Sequence, residues 1–248
     1  PCVIVNVSRG GPGLGGLSPS QSDYFQATKG GGHGDYRLVV FAPASVQEII
    51  DLMYLAFVTA DKYRNPVMVL ADGLLGQMME PVTLTEVKDL QIPAKPWATT
   101  GMMNGKPQSV INSLGLVGEE LEKINARLQK KYREIEANEV RFEKEGTEEA
   151  DLVVVAYGTS ARVAKSAIAK AKSAGKKVGL FRPITLWPFP TKQLSELGKA
   201  GKRFLVVEMS AGQMVEDVKL AVNGQARVDF FGKLNGTIPS VNEVYDAI

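Results

Sequence analysis

Arg9 is the first residue whose type and setting suit chemistry. It follows the apolar run Val3-Ile-Val-Asn-Val7 by two residues and opens a glycine cluster, Gly10-Gly-Pro-Gly-Leu-Gly-Gly16. In open α/β sheets ligands lie beyond the carboxyl ends of the strands. A guanidinium placed there can hold a carboxylate through two parallel hydrogen bonds; a surface or interface ion pair is the plain alternative. His33 lies in Gly30-Gly-Gly-His-Gly-Asp-Tyr36. Four glycines around one imidazole describe a flexible loop that brings the ring to a ligand or another chain, or one in which it bonds only to backbone. Tyr157-Gly-Thr-Ser160 follows a fourth candidate strand. Capping of a helix by Thr159 or Ser160 is the expectation there, with anion binding by the free N–H groups as the alternative.

Counting excludes much else. The 248 residues hold one cysteine, Cys2, and one histidine. That rules out an intrachain disulfide, a self-contained iron–sulfur cluster and structural Cys/His zinc, and it makes an intracellular protein the expectation. With no second histidine or nearby cysteine, His33 is not read as a metal ligand. Twenty-nine basic residues stand against 27 acidic ones, too even a balance for a protein whose main task is gripping nucleic acid or an anionic membrane. No stretch approaches the roughly 18 apolar residues of a membrane span. Gly11-Pro-Gly13-Leu-Gly-Gly16 matches G-x-G-x-x-G, yet the polar Leu17-Ser-Pro-Ser-Gln-Ser-Asp23 follows where the dinucleotide fingerprint needs an apolar helix. No carboxylate pair, Ser/His/Asp triad or P-loop lysine can be assembled.

The elements that must position these residues alternate between strand and helix. Residues 3–7 read as a buried parallel strand; with no initiating Met, they make the chain an expected fragment. A polar stretch over 9–35, with nine glycines and two prolines, reads as a long functional loop. A strand at 38–42, a helix capped by Ser45 with Glu48 completing a capping box, and a strand at 67–71 ending on Asp72 form a β–α–β unit. Residues 77–107 read as a linker. Residues 116–145 carry apolar positions three or four apart, the pattern of a long amphipathic helix or helical pair. From 150 a second alternation begins: strands at 152–156, 177–181, 203–208 and 228–231, with helices at 161–174, before 200, at 213–222 and from Pro239. This is a doubly wound sheet of about 100 residues.

Several segments together resemble the alpha subunit of thiamine-diphosphate-dependent 2-oxoacid:ferredoxin oxidoreductases. They are Arg9-Gly-Gly-Pro-Gly-Leu-Gly15, Gln21-Ser-Asp-Tyr24, Gly31-Gly-His-Gly-Asp-Tyr36, Tyr63-Arg-Asn-Pro-Val67, Tyr157-Gly-Thr-Ser160, Arg182-Pro-Ile-Thr-Leu-Trp-Pro-Phe-Pro190 and Val207-Glu-Met-Ser-Ala-Gly-Gln213. The run from Ser20 to Arg37 is most similar to the 2-oxoisovalerate, branched-chain type. The resemblance implies an α/β fold: a partial pyrimidine-type thiamine-diphosphate-binding domain plus a transketolase C-terminal-like doubly wound domain. Residues 1–85 would be the C-terminal half of the first, 86–149 a linker and charged helical arm, and 150–248 the second.

The resemblance also implies what lies elsewhere. The carboxylate that engages the aminopyrimidine, and a threonine-bearing loop near the substrate, both precede the Arg9 segment in the family. Thiamine diphosphate and magnesium are shared with a beta subunit, which holds the diphosphate–magnesium site. Iron–sulfur clusters would sit on other subunits, and gamma/delta-type subunits and ferredoxin are further partners. Arg9 matches the arginine thought to hold the substrate carboxylate, with His33 on a loop closing over the site. Many relatives carry hydroxyl residues where this chain has Gly13-Leu14-Gly15, a change that suits a branched-chain acid. Phe231-Gly-Lys-Leu-Asn-Gly236 departs from the family's late arginine and paired glycines. The implied reaction is CoA-dependent oxidative decarboxylation with ferredoxin as acceptor, in the cytoplasm, and the isolated chain would be inert. The reading kept beside it is a non-catalytic α/β interaction subunit docked on a partner enzyme.

Overall fold

The computed structural model describes residues 1–84, 94–102, 105–234 and 236–248. Parts of the expected linker (85–93 and 103–104) and of the late loop (235) lie outside the described residues. Two sheets build the chain. The first contains β1 (Val3–Ser8), β2 (Val39–Phe41), β3 (Val67–Asp72) and β7 (Thr185–Trp187), in the order β1-β3-β2-β7. The first three are parallel, and β7 runs antiparallel to β2. Val-rich apolar runs, Val39-Val-Phe41 and Val67-Met-Val-Leu-Ala71, form β2 and β3, which are buried throughout. β1 departs from the expectation of a buried strand. Among the described residues it is an edge strand, paired only with β3, and Ile4, Val5 and Val7 are 39, 54 and 46% exposed.

Helix α1 (Tyr24–Thr28) falls inside the stretch expected to be loop. Five residues are too few to show a helical period. Helix α2 (Val46–Tyr63) starts as expected, with Ser45 Oγ accepting from Glu48 N at 3.1 Å, and ends where Arg64 turns left-handed at φ 47°. The capping box is incomplete. The Glu48 carboxylate takes Ala44 N, not Ser45 N, and turns its remaining capacity to Arg182.

The charged segment is one helix, α3 (Gly118–Asn138), followed by a strand, β4 (Phe142–Glu145). The expected helix to 145 is therefore too long by a strand. Phe142 leaves the helical stripe to stack on Phe181 at 5.4 Å, and β4 pairs antiparallel with β6 (Val178–Pro183). The second sheet is completed by β5 (Leu152–Val155), β8 (Arg203–Glu208) and β9 (Val228–Gly232), in the order β4-β6-β5-β8-β9. The period-two pattern of β5 sorts its side chains. Leu152 and Val154 pack under α4 (Gly158–Ser173) and α7 (Val241–Ala247). Val153 and Val155 join α5 (Thr191–Lys199) and α6 (Met214–Val222) in a core that runs on into β2 and β3.

That shared core makes the two sheets one packing unit, and polar contacts reinforce it. β7 crosses from the second half to pair with β2. Arg182, with a side chain 5% exposed, makes a two-pronged contact with Glu48 at 2.7 and 2.8 Å and donates Nε to Glu143 at 2.7 Å. Glu139, buried at the end of α3, accepts from Lys62 Nζ at 2.8 Å and Tyr63 OH at 2.7 Å, with Arg141 at 3.4 Å. Burial pushes the Glu139 carboxyl up, but the Lys62 and Tyr63 hydrogen bonds and the two cations outweigh it, leaving it below the ordinary carboxylate range. A carboxylate with a depressed native pKa contributes stability above its unfolded value and loses it as the pH falls through the native one. The melting temperature of the subunit should therefore drop on acidification below about pH 4.3. The Glu139→Gln variant, having no charge to lose there, should drop less steeply; identical slopes would remove Glu139 from the account.

Candidate functional site

Parallel strands deliver their carboxyl ends to one edge, and here two sheets bring such edges together. Ser8 and Asp72 end β1 and β3, while Tyr157 and Met209 stand just beyond β5 and β8. Asp72, 2% exposed, organises this junction. Its Oδ1 accepts from Leu74 N at 3.0 Å, Leu75 N at 3.2 Å and Thr159 Oγ1 at 2.9 Å; its Oδ2 accepts from Thr159 N at 3.2 Å. It therefore caps its own turn and also the start of α4 on the other sheet. Gly158, at φ 54°, makes this approach possible: a Cβ there would meet Asp72 Oδ2 and Gln21 Nε2 at 3.2 Å.

This revises the reading of Tyr157-Gly-Thr-Ser160. Neither Thr159 nor Ser160 caps α4; the N-cap residue is Tyr157, without a side-chain bond. The anion at that helix start is the protein's own Asp72.

Gln21, also 2% exposed, completes the junction. Its Nε2 donates to Tyr157 O at 2.9 Å, and its Oε1 accepts from Ser160 Oγ at 2.7 Å and Met209 N at 2.9 Å. Its backbone N donates to Met209 O at 2.8 Å, and its carbonyl accepts from Tyr157 OH at 3.3 Å. Burial and the Glu208 charge push the Tyr157 hydroxyl well up, so it stays a donor. Nearby, Gln213 Nε2 donates to Ser22 O and Gln213 Oε1 accepts from Phe25 N. Glu208 gathers Ser210 Oγ and the backbone N–H groups of residues 213–215 at the start of α6. The segment 20–25 is thus sewn to the second sheet along its length.

Arg9 lies on the loop this junction anchors. It forms an antiparallel bridge with Pro19, while Gly10 N donates to Ser18 O at 2.8 Å and Gly16 N to Gly10 O at 2.9 Å. Its guanidinium closes the loop from outside. Nη1 reaches Gly10 O at 3.0 Å and Leu14 O at 2.8 Å, and Nη2 reaches Gly13 O at 3.2 Å. Gly15 is obligatory, since at φ 50° a Cβ would collide with Gly10 O and Arg9 Nη1. The side chains of Leu14 and Leu17 stand in solvent, 95 and 82% exposed. Among the described residues Arg9 Nε has no acceptor, which leaves the guanidinium a donor edge for a ligand.

His33 does not join Arg9. Val3 and Val39 both pair with Val67, so they are level in the sheet. The His33 loop precedes Val39 and sits at the amino edge, where Asn65 Nδ2 donates to Arg37 O at 3.1 Å. Arg9 follows Ser8 at the carboxyl edge, a strand length of ~17 Å away. The His33 loop folds around Tyr36, whose hydroxyl oxygen accepts from Gly31 N and Gly32 N, and the imidazole is exposed. Cys2 is also exposed. Among the described residues no group of three or more His, Cys, Asp or Glu side chains is placed to hold a metal ion. No described helix is long and apolar enough to cross a membrane.

Fold and junction together define an α/β protein of two sheets with a glycine-loop arginine at their joined carboxyl edges. Residues 1–139 match the family model of the pyruvate flavodoxin/ferredoxin oxidoreductase thiamine-diphosphate-binding domain, and residues 150–244 match pyruvate:ferredoxin oxidoreductase core domain II. The chain is 49% identical over 244 residues to the ketoisovalerate oxidoreductase subunit VorB of Methanothermobacter marburgensis, covering 98% of this chain and 69% of that one. It is 33% identical over 274 residues to the 2-oxoglutarate synthase subunit KorA of the same organism, covering 100% of this chain and 73% of that one. A solved 2-oxoglutarate:ferredoxin oxidoreductase from Magnetococcus marinus superimposes with a TM-score of 0.75 at 23% identity, covering all of this chain and 48% of that one. The chain belongs to the 2-oxoacid:ferredoxin oxidoreductase family, among its alpha-type subunits, and is an oxidoreductase component.

The family model over residues 1–139 is that of a thiamine-diphosphate-binding domain, and the described residues include no group of three or more His, Cys, Asp or Glu side chains placed to hold a metal ion. What they do provide is the junction, and its cost of removal is measurable. Asp72→Ala leaves buried N–H and O–H donors unpaired on both sheets. It should lower the unfolding free energy of the subunit by about 2–4 kcal/mol. Asp229→Ala, which removes an exposed pairing with Arg227, should stay within ~0.5 kcal/mol. Equal losses in urea titrations would show that Asp72 is not special.

Proposed function

We propose that this chain works in CoA-dependent oxidative decarboxylation of a branched-chain 2-oxoacid, passing the electrons to ferredoxin. Arg9 holds the substrate carboxylate at the carboxyl edge of the first sheet. Residues 1–85 act as part of a pyrimidine-type domain, 86–149 as a connecting arm and 150–248 as a transketolase C-terminal-like domain. The enzyme is completed in the cytoplasm by a beta subunit carrying most of the thiamine diphosphate and magnesium site, and by gamma/delta-type subunits with the iron–sulfur clusters. When bound, thiamine diphosphate supplies the carbanion chemistry that no side chain can.

The observation that carries this reading is the Arg9 loop itself. One guanidinium organises three carbonyls and keeps Nε available, while Leu14, whose carbonyl it binds, stands exposed beside it. A charged clamp next to an aliphatic side chain suits a small acid with a branched apolar tail. Sharing the guanidinium with three carbonyls also tempers its hold on a carboxylate that must leave as carbon dioxide. Ketoisovalerate is the substrate named for the relative at 49% identity, against 2-oxoglutarate for the one at 33%. His33, at the opposite edge of the sheet, has no part in this clamp within one chain.

The test is acyl-CoA formation by the assembled enzyme. Losing a charge-assisted contact of about 2–3 kcal/mol should raise the KM for ketoisovalerate roughly 30- to 150-fold in Arg9→Ala, with the KM for CoA unchanged. An unaltered KM for the 2-oxoacid would reject the assignment. Turnover that persists when this subunit is left out would instead establish a non-catalytic docking role.

A further inference from the structure

Gln21 has no part in the clamp, yet its side chain is spent entirely on the other half of the molecule. Both side-chain polar atoms bind second-half groups: Nε2 binds Tyr157 O, and Oε1 binds Ser160 Oγ and Met209 N. The backbone pair with Met209 and the Tyr157 hydroxyl point the same way. Among the described residues no hydrogen bond of the side chain stays within the first half. A buried amide with that pattern is a peg, and the part it pegs is the segment leading back to Arg9. Pro19, two residues before Gln21, is bridged to Arg9, and Ser18 O takes Gly10 N. The loop's other end is Ser8, a residue of the edge strand β1.

We infer that Gln21 is a positioning residue for the substrate: through the bridge at Pro19, the second sheet sets where the Arg9 guanidinium stands. This rests on Arg9 as the carboxylate clamp. Ser160 and Met209, distant in sequence, thereby serve substrate recognition without touching the substrate. A displacement of about 1 Å at a positioning group costs up to roughly 100-fold in an enzyme's efficiency, so the effect is large enough to read. A merely structural amide would disturb substrate and CoA handling alike. A positioning amide acts through Arg9 alone.

A double-mutant cycle in the assembled enzyme separates these. Gln21→Met preserves length and removes every side-chain bond. It should raise the KM for ketoisovalerate about 10-fold, with kcat and the KM for CoA changing less than about 2-fold. In an Arg9→Ala background the same substitution should raise that KM less than about 2-fold, because its route is already cut. Ser160→Ala, which deletes one partner from the far side, should give a smaller rise that also vanishes without Arg9. It decides the matter if Gln21→Met fails to assemble. Equal fold-changes with and without Arg9, or a matching rise in the KM for CoA, would overturn the inference and leave Arg9 intact as the clamp. No KM change in Arg9→Ala alone would overturn both.

Discussion

A carboxylate and an amide, Asp72 and Gln21, are buried where two sheets present their carboxyl ends to each other. Their satisfaction is the constraint on which the remaining arrangement depends. Buried polar groups without partners cost about 1–3 kcal/mol each, and the junction avoids that only when both halves are docked in one register. Asp72 comes from the first sheet and caps a helix of the second. Gln21 comes from a first-half loop and closes on two strand ends of the second. Apolar packing alone tolerates sliding; this set of directional contacts does not.

Other features become intelligible from that register. β7 can pair with β2 only if the halves are set as they are, and Arg182 reaches Glu48 and Glu143 together only in the same pose. The Glu139 cluster fixes the end of α3 against α2, so the charged arm is fastened at the end nearer the second sheet. Its start is looser: Val117 and Leu121 are 54 and 44% exposed. The Arg9 loop gains from this rigidity. It has little core of its own and is held by its glycines, its guanidinium and the anchored segment after Pro19.

Much of this was legible in the residues. The β–α–β alternation, Ser45 as a cap and the doubly wound second half follow from periodicity and turn chemistry, which are local. The family resemblance follows from several short motifs taken together. The places where reading failed are those where distant contacts decide. Phe142 continues a helical spacing, and only its partner strand β6 pulls it into β4. Thr159 and Ser160 look like helix caps because nothing nearby announces Asp72, some ninety residues earlier. Gln21 sits in a polar, glycine-rich stretch with no period to mark it as buried. His33 and Arg9 share one glycine-rich stretch in sequence, yet Arg9 follows β1 at the carboxyl edge of the sheet while the His33 loop leads into β2 at the amino edge. Ile4, Val5 and Val7 read as core, while among the described residues the strand they form has a neighbour on one side only.

The most direct test of the central claim is native-state hydrogen exchange of the assembled enzyme, wild type against Gln21→Met. The amides of Met209 and Thr159 report on the junction, those of Gly10 and Gly16 on the Arg9 loop, and that of Val206 on the β8 ladder. If the junction governs the loop, protection at Met209, Thr159, Gly10 and Gly16 falls together while Val206 keeps its own. Gly10 and Gly16 retaining full protection as Met209 loses it would mean that the loop holds itself, and the account would be wrong.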